Sequence, residues 1–191
     1  MGHTTSSRPA WHRPVWLGLL VAISAALTTW FACVTPFVAF SVIAATTPTR
    51  RDALFVSVAS WLANQAVGYG ALHYPWTTNS IAWGAAIGVA ALVGTFVAQW
   101  SVARLQRLRP SLQALAAFVS AFVVYESALY AVAVSALGGT RGFALSIVSR
   151  VLVINAVTLL GLYGLTQLAG VVGVVARRAG RVSSATIRVE S

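Results

Sequence analysis

Apolar segments separated by short polar turns occupy most of the 191-residue chain, and they predict six helices. The segments cover residues 14 to 34, 37 to 47, 53 to 72, 80 to 103, 111 to 137 and 143 to 176. A helix needs about 20 mostly apolar residues to span a bilayer. Residues 37 to 47 are too few to cross alone. They either extend a kinked helix that includes residues 33 to 36, or they re-enter the membrane from one side.

A polar and aromatic stripe follows one face of the third segment. Its members recur at intervals of three and four, as on one side of a helix: Trp61, Asn64, Gln65, Gly68, Tyr69 and Leu72. Amides that faced lipid would lose their hydrogen-bond partners at a cost of several kcal/mol each. The stripe is therefore expected to face protein or a cavity. With His73, Tyr74 and Trp76 beyond it, the stripe predicts the wall and lip of a binding site, and a polar seam between helices is the alternative.

The composition is that of an all-α integral membrane protein. Hydrophobic residues make up 58% of the chain and charged residues 8%, with a mean hydropathy of +0.80, whereas soluble domains carry roughly 25% charged residues. The net charge of +10 comes from arginines clustered between apolar runs, so membrane lipids with anionic headgroups are the expected partners rather than nucleic acid. A single cysteine excludes an internal disulfide and a multi-cysteine metal site.

The arginine clusters predict the topology. If all six segments cross, the arginines of both tails and those at 50, 51, 104, 107 and 109 share one side, and Arg141 alone among the loop arginines lies on the other. The positive-inside rule then places both termini in the cytoplasm. The expected organisation is a polar tail at 1 to 13, a transmembrane domain at 14 to 176 and a basic tail at 177 to 191. The turns at His73 and Arg141 would both be extracytoplasmic.

Two ionisable residues fall within predicted spans, and they reach similar depths. Glu126 lies in the fifth segment and Arg150 in the sixth. A lone charge at that depth is costly, so the two are expected to pair, either as a structural clamp or as part of a ligand site. Asn155 lies about one turn deeper and is expected to join the polar groups of the third helix. A single carboxylate argues against a proton-driven pump.

Signatures of enzymes are missing from the sequence. It has neither a His-Glu-x-x-His motif nor paired carboxylates. Asp52 and His73 would lie on opposite membrane faces, so no catalytic triad can form. We therefore expect a non-enzyme without an intrinsic cofactor. On the first helix Gly18, Ala22 and Ala26 are four residues apart and form a face that another helix could approach closely.

These features resemble the S-components of energy-coupling-factor vitamin transporters. The likeness to their small cobalamin-binding, BtuM-like members covers residues 55 to 100 best and rests on Asn64-Gln65-Ala-Val-Gly68-Tyr69, His73-Tyr74-Pro75-Trp76 and Trp83-Gly84. In that family a cysteine near the outer end of helix 3 ligates cobalt. Here the only cysteine, Cys33, is elsewhere, and His73 occupies the corresponding turn. An imidazole is a competent cobalt ligand.

The resemblance implies a substrate-binding subunit in the bacterial cytoplasmic membrane that takes up cobalamin or a related corrinoid. His73 would be the axial ligand of the cobalt, and Tyr69, Tyr74 and Trp76 would stack on the macrocycle. Asn64 and Gln65 would bind its amides. The face of Gly18, Ala22 and Ala26 would dock an energy-coupling-factor transmembrane and ATPase module. The alternative function is that of a non-catalytic accessory or assembly subunit of a membrane complex.

Overall fold

The computed structural model describes residues 12–31, 35–46 and 49–171, and this part of the chain is helical with no strand. The six α-helices found there are α1 His12–Phe31, α2 Phe37–Ala45, α3 Arg50–Gly70, α4 Thr78–Arg104, α5 Pro110–Val132 and α6 Leu145–Val171. A π-helical turn, Ala133–Leu137, continues α5, and a 3-10 turn, Thr140–Phe143, leads to α6. The predicted all-α class is confirmed. The two predicted tails and residues 172 to 176 lie outside the described residues.

Three of the described helices are long and apolar enough to cross a membrane. They are α4, α5 together with the π-helical turn, and α6 as far as Gln167. In α1 the apolar stretch Pro14–Thr28 is shorter. A nine-residue helix such as α2 rises only about 13 Å, less than half of a hydrocarbon core of about 30 Å. The structure thus agrees with the prediction that residues 37 to 47 cannot cross by themselves.

The short helix α2 forms the centre of the fold. Its residues from Phe37 to Ala44 are all buried, and it packs against α3, α4, α5 and α6. One side of α2 joins an apolar cluster with α4 and α5, and the other side joins a second cluster with α1, α3 and α6. A helix that is apolar all round is expected to be buried in protein or in lipid, and here α2 is covered by four other helices.

A side chain from the far end of the chain caps the start of α2. Pro36 precedes the helix and offers no side-chain cap. Instead, the backbone N–H of Ala39 donates to Oδ1 of Asn155 in α6, at 3.2 Å. Nδ2 of Asn155 in turn donates to the carbonyl of Val151 at 3.0 Å. Asn155 is 1% exposed, so this bond satisfies a buried donor that the helix itself cannot pair.

Two threonine side chains cap the starts of α3 and α4, and a residue in the left-handed conformation follows the end of α3. The Thr49 side chain accepts from the N–H of Asp52 at the start of α3, and the Thr77 side chain accepts from Ser80 at the start of α4. At the end of α3, His73 has a φ of 54°, a conformation common where helices terminate. This turn folds the chain back, and the N–H of Tyr74 donates to the carbonyl of Gly68 at 3.0 Å.

Candidate functional site

A cavity of about 390 Å³ opens where the C-terminal half of α3 faces the start of α4 and the end of α5. This volume lies within the range of small-molecule sites, which is about 300–1,000 Å³. The start of α2 and the turn before α6 complete its wall. The residues that line the cavity are Thr35, Phe37, Asn64, Gln65, Tyr69, Tyr74, Ser80, Trp83, Gly84, Ile87, Tyr125, Glu126, Leu129, Gly142, Phe143 and Val151.

The amides of the predicted stripe form a hydrogen-bonded wall. Nε2 of Gln65 donates to Oδ1 of Asn64 at 3.0 Å, and Nδ2 of Asn64 donates to the hydroxyl of Thr35. The Thr35 hydroxyl also contacts that of Thr28 at 3.1 Å, and Thr28 donates to the carbonyl of Ser24. Asn64 is therefore committed to protein partners, whereas Gln65 keeps its carbonyl oxygen for another donor. Both amides line the cavity, while half of the stripe lies outside its lining.

Glycines on α4 let the aromatic and amide side chains of α3 come close. Nε1 of Trp61 donates to the carbonyl of Gly84 at 2.8 Å. A Cβ at position 88 would lie 2.7 Å from the Trp61 indole, and one at position 84 would collide with the Gln65 carbonyl oxygen. Real Cβ atoms do not approach that closely. Glycine is therefore required at positions 84 and 88 for Gln65 and Trp61 to pack against α4.

Aromatic rings form the lip of the cavity. The rings of Tyr69 and Trp76 lie 4.6 Å apart between centroids, and those of Tyr69 and Tyr74 lie 6.0 Å apart in an edge arrangement. The Tyr69 hydroxyl is 3.0 Å from that of Ser80, which ties the end of α3 to the start of α4. Tyr69 and Tyr74 line the cavity, whereas Trp76 is 77% exposed and covers the outer side of Tyr69.

His73 is exposed and does not belong to the cavity lining. Its backbone, rather than its imidazole, has the visible role, because the left-handed conformation turns the chain so that Tyr74 returns to Gly68. A Cβ at Gly68 would lie 2.6 Å from the Tyr74 ring, so this return also requires glycine. Within the described residues, no group of three or more His, Cys, Asp or Glu could hold a metal ion.

The expected ion pair between Glu126 and Arg150 is not formed. Glu126 is half-buried and lines the cavity, while Arg150 is exposed and outside the lining. The Glu126 side chain therefore faces the cavity, and the Arg150 side chain faces the surface of the described protein. No hydrogen bond or ion pair to Glu126 occurs within the described residues. The pairing prediction was wrong because depth along a helix does not determine the direction in which a residue faces.

Several lining residues were not predicted as site residues. They are Thr35 and Phe37 around the start of α2, Ser80, Trp83, Gly84 and Ile87 on α4, Tyr125 and Leu129 on α5, Gly142 and Phe143 in the last turn, and Val151 on α6. A signal existed for the α4 residues, which recur at intervals of three and four. Asn155, expected at the polar cluster, instead caps α2.

The small-residue face of α1 is directed away from the cavity. Gly18, Ala22 and Ala26 are all exposed, and a Cβ at Gly18 would meet no atom within 4 Å. The opposite face of α1 carries the buried residues Trp16 and Leu20. The predicted docking face is thus on the surface of the described protein.

Compared with known proteins, the chain matches no family model, no curated protein and no solved structure. Its function is therefore argued from the cavity and from the residues that carry the resemblance.

Proposed function

We propose that this chain is a substrate-binding membrane subunit that takes up a small, vitamin-like molecule. The observation that carries the proposal is the cavity of about 390 Å³, lined by aromatic rings, two amides and one carboxyl group. Apolar walls with a few placed polar groups are typical of small-molecule sites. A seam that only joins helices would be filled by side chains, since protein interiors are close-packed.

In this proposal the chain crosses the bacterial cytoplasmic membrane six times, with both termini in the cytoplasm. Because α2 alone is too short, it would make one of these crossings together with the residues before it. Support comes from the three long apolar helices and from the positions of the basic residues. Arg50 and Arg51 start α3, whereas Arg104 ends α4 and Arg107 and Arg109 follow it. The cavity lies at the opposite ends of these two helices, the ends with few arginines, so it would open to the outside.

Cobalamin is the ligand that the resemblance implies, and the size of the cavity restricts how it would sit. Its volume of about 390 Å³ is near the lower limit for small-molecule sites, about 300–1,000 Å³, and is too small to enclose a corrin ring with its amide side chains and nucleotide. Such a ligand would insert one edge beside Gln65 and leave the remainder over Tyr69 and Trp76. His73, at the lip, would then be the nearest candidate for the cobalt.

An energising partner is also part of the proposal, because the chain has no phosphate-binding loop of its own. The face of Gly18, Ala22 and Ala26 is suited to close helix packing with a transmembrane module that an ATPase drives. Its exposure, away from the cavity, would let the partner and the ligand bind together.

Mass spectrometry of small molecules that copurify with the detergent-solubilised protein tests the proposal. A compound released in stoichiometric amount by the wild type is expected to be lost or reduced in Gln65→Leu and Trp83→Ala, which alter the lining. Trp100→Ala is the matched control, because Trp100 is an exposed tryptophan on the same helix outside the lining. Equal yields from all variants, or no compound from the wild type after expression in rich medium, would favour the accessory-subunit alternative.

A further inference from the structure

The charge that lines the cavity is of one sign, negative. Glu126 is its one charged lining residue, and no Lys, Arg or His lines it among the described residues. The basic residues His73, Arg141 and Arg150 are each next to a lining residue in the sequence but are themselves exposed. A carboxylate that is partly removed from water, and for which the described residues provide no partner, costs free energy unless a cation accompanies it or it binds a proton.

Aromatic rings line the same cavity as this carboxyl group. Six of the lining residues are aromatic, namely Phe37, Tyr69, Tyr74, Trp83, Tyr125 and Phe143. Tyr125 precedes Glu126 on α5, and its ring lies 6.4 Å from that of Phe37. The face of an aromatic ring attracts a cation within about 6 Å, and this attraction is larger where water is excluded. A cavity lined by aromatic rings and a single carboxylate favours the binding of organic cations.

The start of α2 also faces the cavity, and the positive end of a helix dipole could instead attract an anion. Two of its backbone donors are already taken, however. The N–H of Phe37 donates to the carbonyl of Thr35 at 2.8 Å, and that of Ala39 donates to Asn155. An anion would therefore find these donors occupied and would lie close to Glu126.

We infer that the cavity selects an organic monocation, with a quaternary or protonated amine beside Glu126 and apolar groups against the aromatic rings. This inference rests on the proposed uptake of a small molecule, and it specifies the chemical class that the cavity itself selects, as an alternative to the cobalamin that the resemblance implies. The carbonyl oxygen of Gln65 provides a second acceptor for a hydroxyl or N–H group of the same molecule.

Three probes of the same shape test the inference. They are 4-(trimethylammonio)benzyl alcohol, its neutral carbon isostere 4-tert-butylbenzyl alcohol, and the anion 4-tert-butylbenzoate. Binding to the full-length protein in detergent is measured by titration calorimetry. The cation is expected to bind at least tenfold more tightly than either of the others. Equal affinities, tighter binding of the neutral or anionic probe, or no binding of the cation would overturn the inference.

Glu126→Gln identifies the residue responsible. It should reduce the preference for the cation over its neutral isostere to less than threefold, while the neutral probe binds as before. The control variant Arg150→Gln should leave the preference unchanged, since Arg150 is outside the lining. A preference that survives Glu126→Gln would refute the role of the carboxylate. If that variant does not fold, the wild-type ranking still decides the charge class. The copurification experiment tests small-molecule binding separately, because it succeeds with a ligand of any charge.

Discussion

The cap that α6 provides for α2 gives the sharpest prediction about stability. In Asn155→Leu the side chain keeps a similar size but loses Oδ1, so the N–H of Ala39 has no acceptor in a fully buried position. An unsatisfied buried donor costs about 1–3 kcal/mol. For a protein of this length, each kcal/mol corresponds to about 2–4 °C in melting temperature. We therefore expect a decrease of about 2–12 °C, from the product of these two ranges.

Melting of the purified protein in one detergent, followed by intrinsic fluorescence, measures this decrease. Ser149→Ala is the matched control, since Ser149 is an exposed residue of α6 whose hydroxyl bonds only to the carbonyl of Ser146 in its own helix. A surface change of this kind is usually within about 0.5 kcal/mol of neutral. If Asn155→Leu and Ser149→Ala melt at the same temperature, the cap does not stabilise α2. A decrease in melting temperature should also be accompanied by weaker ligand binding, because Thr35 and Phe37 line the cavity.

Three further predictions concern the helices and turn around the cavity. Gly88→Ala should destabilise the protein by about 1–3 kcal/mol by crowding the Trp61 indole. The control Gly161→Ala should not destabilise it, because a Cβ there would meet nothing within 4 Å. Equal melting temperatures of the two variants would contradict the packing argument. His73→Gly should leave the melting temperature unchanged or raised, because glycine adopts a positive φ without strain. If this variant loses the absorption spectrum of cobalamin bound to the wild type, the imidazole is the cobalt ligand. An unchanged spectrum would exclude it. Reporters fused after residues 76 and 107, on either side of α4, should report opposite sides of the membrane, and the same side for both would refute the proposed crossing.

The sequence predicts the helices well because apolar runs and their breaks are local features. The third predicted helix covers residues 53 to 72, and α3 occupies Arg50–Gly70. The stripe was also predictable, since a period of three and four places Asn64, Gln65 and Tyr69 on one face whatever the neighbours are. The direction of that face followed from the cost of burying an amide without a partner.

Other features depend on contacts between distant segments, and the sequence does not contain them in readable form. The uniformly apolar run of α2 predicts burial but not its partners, because it has no polar face to indicate which sides meet protein and which meet lipid. The bond from Ala39 to Asn155 joins residues 116 positions apart. For Glu126 and Arg150, depth could be inferred from the chain but rotation about the helix axis could not, and this is why the ion pair was expected.

The cap of α2 by Asn155 also affects the order in which the protein can assemble during synthesis. During synthesis α2 is made well before α6. The N–H of Ala39 in α2 therefore lacks its acceptor until α6, the last described helix, has been synthesised. Hydrocarbon cannot satisfy that group. A nascent chain that ends before residue 155 should therefore remain sensitive to proteases or bound by insertion chaperones, even though α3, α4 and α5 are complete. Folding of the centre of the protein is therefore complete only after the last described helix has been synthesised.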